Sequence, residues 1–344
     1  MSTTVQSVSS GGAARSASPG ALDSGSRRRF LALLGAAASL PSMWSGPAHA
    51  ARSLVMQAAW LNNAEFSGYF VARDRGWYAA EGLALRYLPG GPDVTPGNSL
   101  RSGRADLALA SLDSIVRAIV DEGAALRVIG AQYQKNPLGI ISMAANPVDT
   151  VGALAGKTLA VPPFDLDSVE AVLRLNDIER SAVNIVPFGD DASALMAGQI
   201  DATTGFVTNV PYLITLLGGQ PVSLLLHDLG YALFNDVVVV TEETLASRRG
   251  DLVAWLRASR RGWEENFLNT SAWPPRWGST WFAGTGRDIA NEVYYNAAQK
   301  PLIETEDGIF SMSEEAIAAN IDALGRVGVR ATRAMFDTSL LDEI

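Results

Sequence analysis

Apolar and polar positions along the chain fall into two alternating series. The run SLVMQAAW over 53–60 reads as a buried strand, with Asn62-Asn63 as the turn after it. Residues 64–80 carry Phe66, Tyr69, Phe70 and Tyr78 at helical spacing, with Gly76 ending or breaking the helix. A strand over 83–88 is closed by Pro89-Gly90-Gly91-Pro92. The pattern then predicts a short helix near 95–101, an apolar strand at 106–110, a helix over 114–121 and strands at 126–131 and 139–143. That order is expected of an α/β lobe with mostly parallel strands.

Asn146-Pro147 and Leu154-Ala155-Gly156-Lys157 mark a boundary, after which a second series begins. Strands are predicted at 158–161, 184–187, 201–206 and 222–226, with helices at 167–176, 192–197 and 211–217 between them. The β-branched run 237–241 closes this series. Beyond it the pattern is helical. A stripe of Leu252, Trp255, Leu256, Trp263 and Phe267 predicts a buried helix face over 252–268, and Ser311 with Glu314 has capping-box spacing before a helix over 313–324. No internal repeat is visible. The expected fold class is α/β, in two lobes with a helical C-terminal extension.

Composition narrows the possibilities. The 344 residues include no Cys and two His, with 18% charged and a formal net charge of −9. Without Cys there is no disulfide framework, thiol nucleophile or zinc ribbon. An acidic balance argues against nucleic acid as a partner. Residues 1–50 read as an export signal. Ser26-Arg27-Arg28-Arg29-Phe30-Leu31 precedes an uncharged stretch of ten residues, then Pro41 and the small-x-small triplet Ala48-His49-Ala50. The arginines followed by Phe-Leu have the twin-arginine flavour, and ten residues fall far short of the ~20 that span a bilayer. Cleavage after Ala50 removes four Arg and one Asp, leaving 294 residues, net charge near −12 and one histidine, His227. A soluble periplasmic protein, expected to be monomeric, follows.

Five stretches resemble the periplasmic solute-binding proteins of ABC importers. They are Gly68-Tyr69-Phe70-Val71-Ala72-Arg73-Asp74-Arg75-Gly76-Trp77-Tyr78 with Glu81-Gly82-Leu83, Ser102-Gly103-Arg104-Ala105-Asp106-Leu107-Ala108, Gln134-Lys135-Asn136-Pro137-Leu138-Gly139 with Leu154-Ala155-Gly156-Lys157-Thr158, Ala197-Gly198-Gln199-Ile200-Asp201-Ala202, and Phe336-Asp337-Thr338-Ser339-Leu340-Leu341. The likeness is nearest to the branch of thiamine-pyrimidine-precursor binders, with sulfonate, taurine and nitrate binders as cousins. It implies a two-lobed periplasmic-binding-protein fold of type II-like form, closing like a hinge over a small-molecule solute, with an ABC permease in the inner membrane as partner. The lobes are expected as 51–149 with 242–344, and 150–241, with crossings near 147–153 and 236–245.

In open α/β lobes, ligands sit beyond the carboxyl ends of the strands. That rule selects Trp60, Asn62, Asn63, Glu65, Phe66 and Tyr69 after the first strand, Ser111 and Asp113 after the third, and Tyr133 and Gln134 after the fourth. In the second lobe it selects Phe164, Asp165, Phe188, Asp190 and Asn209. The aromatic members suit a flat ring. Glu65, Asp113, Asp165 and Asp190 stand there without Arg or Lys, whereas a sulfonate, nitrate or phosphate would want a guanidinium or a helix N-terminal nest. A flat, nitrogen-rich heterocycle offering N–H donors is the expected solute, a thiamine pyrimidine precursor first and riboflavin second. Phe66 and Phe70 fit a core equally well, Glu65 a helix N-terminus, and Asp113 and Asp190 helix caps. Arg257, Arg260 and Arg261 read as the solvated face of their helix.

The same fold also resembles a pyrimidine-synthesising enzyme of thiamine biosynthesis, which consumes one of its own histidines and carries a Cys-rich iron-site motif. This chain has no Cys, and no nucleophile elbow, phosphate loop or His-x-x-x-His pair appears. A binding protein without cofactor, metal or catalytic residues is expected.

Overall fold

The computed structural model describes residues 51–187 and 192–344. The export-signal segment 1–50 and the candidates Phe188 and Asp190 lie outside the described residues. Among the described residues, ten strands form two mixed five-stranded sheets. In chain order they are β1 (Arg52–Gln57), β2 (Leu83–Leu88), β3 (Leu107–Ala110), β4 (Leu126–Tyr133), β5 (Leu138–Met143), β6 (Thr158–Val161), β7 (Asn184–Pro187), β8 (Ala202–Phe206), β9 (Pro221–Leu225) and β10 (Asn235–Thr241). The first sheet has the order β2-β1-β3-β10-β4, and the second β7-β6-β8-β5-β9. This is the two-lobed α/β architecture of periplasmic binding proteins.

One strand in each sheet runs against its neighbours. β10 pairs antiparallel with β3 and β4, and β5 pairs antiparallel with β8 and β9. These two strands depart from the expected lobe boundaries. The run 138–143, expected with the first lobe, belongs to the second sheet, and 235–241, expected with the second, lies inside the first. The chain therefore changes sheets over 134–137 and 226–234, earlier on both sides than 147–153 and 236–245. An apolar run specifies a strand without saying which sheet it joins. The crossing segments are bonded to each other, the Asn136 amide donating to the Leu233 carbonyl at 3.1 Å. The Phe234 amide donates to Asn320 Oδ1 at 2.7 Å, which fixes the return to the first lobe.

The first lobe is built around the helix Arg249–Leu268, which buries Trp255, Leu256 and Trp263 as its stripe predicts. It crosses the helix Ser67–Asp74 at two glycines. A Cβ on Gly262 would overlap the Gly68 carbonyl, and one on Gly68 would overlap the Trp263 indole. Gly76, with φ of +73°, ends that second helix as anticipated. A second apolar cluster runs continuously from the helix Leu112–Glu122 of the first lobe to the helix Leu166–Leu175 of the second. The capping expectation moves by two residues: Ser313, not Ser311, caps the helix Glu314–Arg326, accepting from the Ala316 amide at 3.2 Å. Arg257 pairs with Glu81, Arg260 with Glu264, and Arg261 stacks over Trp77, so the arginine face is outward. Among the described residues no helix is long and apolar enough to cross a membrane.

Candidate functional site

β1 ends at Gln57, and the chain turns through 58–63 into the short 3-10 turn Ala64–Phe66. Asn63 caps that turn, its Oδ1 accepting from the Glu65 amide at 3.0 Å. The helix Ile289–Ala298 and the residue after it clamp the turn from the other side. Glu292 Oε2 accepts from the Ala64 amide at 2.5 Å, while Gln299 Nε2 donates to the Ala64 carbonyl at 2.7 Å. Both backbone groups of Ala64 are thereby satisfied by side chains more than two hundred residues away, as a buried turn requires.

This clamp holds the Glu65 carboxyl, 4% exposed, at the cleft end of the first sheet. Tyr295 donates to Glu65 Oε2 at 3.2 Å and Asn63 Nδ2 does so at 3.4 Å. Asp236, the second residue of β10, is 2% exposed and lies within hydrogen-bonding reach of Glu65. Its backbone adopts a left-handed φ of +45°, a conformation that Asp tolerates better than most residues. Gln132, on the neighbouring β4, binds both acids. Its Nε2 donates to the Glu65 carbonyl at 2.9 Å and to Asp236 Oδ2 at 3.3 Å.

Three carboxyls therefore meet in a space closed to water. Burial pushes Glu65 up from the ordinary carboxylate range, against the hydrogen bonds from Asp236, Asn63 and Tyr295 and the positive charge of Arg287. Burial pushes Asp236 well up, and the neighbouring Glu65 charge adds to it. Glu292 is raised by burial, with the Ala64 amide and Arg287 pulling it back and Glu65 and Asp288 opposing them. Desolvation disfavours the charged form of each acid, and a carboxyl pair in contact favours holding one proton between them. Several polar atoms here have no partner. Glu292 Oε1 and Gln132 Oε1, on residues of 0% exposure, are unpaired acceptors, as are Asn62 Oδ1 and Asn291 Oδ1, and the Tyr87 hydroxyl is unpaired too. These four acceptors are open to N–H donors, and the hydroxyls of Tyr69, beside Asp236, and Thr208, beside Tyr295, are unpaired with them.

The lobes touch across the cleft. Asn291 Nδ2 donates to Asn209 Oδ1 at 2.7 Å, and Tyr294 stacks on Tyr212 with centroids 4.9 Å apart. Arg117 reaches Asp167 at 3.4 Å. Asp165, 8% exposed, accepts from the Thr204 hydroxyl at 3.0 Å. Its carboxyl is pushed up to about 6, by burial first and by the facing charge of Asp113 from the other lobe, with the Thr204 hydrogen bond opposing.

The sequence-derived candidates separate into three groups. Glu65 joins the carboxyl cluster, and Ser111, Asp113, Asp165 and Asn209 lie at the lobe junction. Trp60 is half-buried, and Asn62 is tied through its Nδ2 to the Trp281 carbonyl at 3.0 Å. Phe66, Tyr69 and Tyr133 are as deeply buried as the carboxyl cluster. Tyr69 stacks on Trp255 and Phe310, and the Tyr133 hydroxyl donates to Gln299 Oε1 at 2.7 Å. Gln134 is a structural tie, its Nε2 donating to the carbonyls of Ala131 and Ser311 at 2.9 Å each. The side chain of Phe164 lies outside the described residues. Asp236, Glu292, Gln132 and Tyr295 were missed. Asp236 had one signal, an acid at the mouth of a β-branched strand; Glu292 had none.

Residues 63–269 match the family described as NMT1/THI5 like. Over 230 residues the chain is 24% identical to a riboflavin-binding protein of Chloroflexus aurantiacus, covering 63% of each protein. Over 211 residues it is 24% identical to a formylaminopyrimidine-binding protein of Halalkalibacterium halodurans, covering 60% of this chain and 63% of that one. The chain thus spans just under two thirds of the length of these curated relatives. Among solved structures, the periplasmic aliphatic sulphonate-binding protein of Escherichia coli superposes with a TM-score of 0.63 at 14% identity, covering 85% of this chain and 97% of that one. At that identity the likeness is one of fold alone.

Proposed function

The chain belongs to the NMT1/THI5 like family, and on that footing we propose that it is the extracytoplasmic solute-binding receptor of an ABC importer, not an enzyme. Export through the segment 1–50 places it in the periplasm, and closure of the two lobes over a small solute creates the surface that the inner-membrane permease reads. The solute is a flat, nitrogen-rich heterocycle, a thiamine pyrimidine precursor before riboflavin. One observation carries this reading: buried Glu65 and Asp236 lie beside unpaired acceptors on Glu292 and Gln132. Such a wall takes N–H donors and repels anions.

A second reading, a sulfonate or related anion, draws on Arg287. Its guanidinium lies close enough to pull Glu65 and Glu292 down, yet no ion pair holds it among the described residues. Three carboxyls against one guanidinium favour the donor-rich solute. A melting screen of the mature chain with aminopyrimidines, riboflavin and taurine decides between them. A solute at about a hundredfold excess over its Kd adds roughly 2.7 kcal/mol of stability. Stabilisation by aminopyrimidines or riboflavin is the expected result. A shift with taurine alone establishes the anion reading, and no shift with any of them ends the receptor reading.

A further inference from the structure

The carboxyl cluster also bears on the solute's charge. We infer that a cationic N–H solute takes the place of the proton shared by Glu65 and Asp236, so that this site selects a cation over its neutral analogue and releases one proton on binding. The inference rests on the receptor reading above and adds to it a charge preference and a proton stoichiometry.

The geometry supplies the argument. Glu65 and Asp236 come from the turn after β1 and from β10, and neither has a cation within ion-pair distance among the described residues. The groups facing them are Tyr69 on the helix Ser67–Asp74, Tyr87 on β2, Tyr133 on β4, Glu292 and Tyr295 on the helix Ile289–Ala298, and Arg287 just before it. Burial holds all four tyrosines in the neutral hydroxyl form, well above the ordinary phenol range. Among the described residues Arg287 is then the one positive group acting on three acids, so the site is balanced by protons or by a positive guest. The unpaired Glu292 Oε1 and Gln132 Oε1, both fully buried, point independently to a guest with N–H groups to give.

The exchange balances. On this proposal the empty site holds one proton between two carboxyls that are buried with no cation in an ion pair with them among the described residues. A cation entering with its own N–H groups donates to both oxygens, and the shared proton leaves to water. Total charge in the site is unchanged, so little electrostatic cost accompanies the exchange. A neutral solute cannot substitute for the proton. It binds with the proton in place and leaves one of the two carboxyls donating where it should accept.

The test is calorimetric titration of the intact mature chain with two probes: an aminopyrimidine bearing an aminomethyl arm, cationic at neutral pH, and the same ring bearing a hydroxymethyl arm. Each is titrated in phosphate and in Tris, whose ionisation enthalpies differ. The expected result is release of about one proton by the cationic ring, with affinity rising roughly tenfold per pH unit while the empty pair remains protonated. The neutral ring is expected to bind more weakly, with no dependence on buffer. Asp236→Asn is expected to abolish proton release; the wild-type buffer series stands without it if that variant does not fold. Binding of the cationic ring without proton release overturns the inference, as does tighter binding of the neutral ring at every pH. If neither ring binds while riboflavin or taurine does, this inference falls and the receptor reading survives. If none of them binds, both fall.

Discussion

Two groups of acids lie near the cleft and are held in different ways. Glu65, Asp236 and Glu292 meet inside the first lobe, brought together by one end of its sheet and by the helix Ile289–Ala298, which also touches the second lobe through Asn291 and Tyr294. Asp113 and Asp165 come from opposite lobes, and the charge of Asp113 raises Asp165. The first group lies within one lobe. The second is a property of closure, in which one acid opposes another just where Arg117 with Asp167, Asn291 with Asn209 and Tyr294 with Tyr212 favour contact.

The largest expected effect breaks the fixed group. Glu292→Ala removes the acceptor of the buried Ala64 amide and is expected to cost about 2–4 kcal/mol in denaturant unfolding. Glu292→Gln keeps an acceptor there and should cost much less. Equal losses in the two variants would mean that the amide clamp is not what holds the turn.

Asp165→Asn tests the group made by closure and has the opposite sign. The Asp165 carboxyl sits at about 6 in the folded chain, against roughly 3.9 when unfolded. The folded state holds the proton more tightly, so the contribution of Asp165 is fully present below about pH 4 and is lost as pH rises through about 6. The variant is therefore expected to be more stable than wild type by about 1–3 kcal/mol at neutral pH, with the difference vanishing in acid. Melting curves across that range check it.

The smallest expected effect is at Arg117→Ala, which removes a half-exposed ion pair. Stability should fall by less than about 1 kcal/mol. Solution scattering of the unliganded variant is expected to show a larger radius, because the pair joins the lobes.

The strand and helix pattern was legible because periodicity reports burial. Residues 83–88, 158–161 and 184–187 form strands at the predicted limits. Sheet membership of 138–143 and 235–241 was not legible, since their apolar runs fit either lobe. The strand-end rule selected Glu65 and Asp165, and with them Phe66, Tyr69 and Tyr133, because a strand end does not say which way the next side chain turns; all five are buried. Glu292 looks like any acid on a helix until the fold brings it to Ala64, 228 residues away in the chain.

The central claim, that a donor-rich solute is held by the carboxyl cluster of the first lobe, is tested most directly by the melting shift of wild type and Glu65→Gln with one aminopyrimidine at saturating concentration. The account predicts a clear upward shift in wild type and little or none in a folded Glu65→Gln. Equal shifts in the two proteins would contradict it.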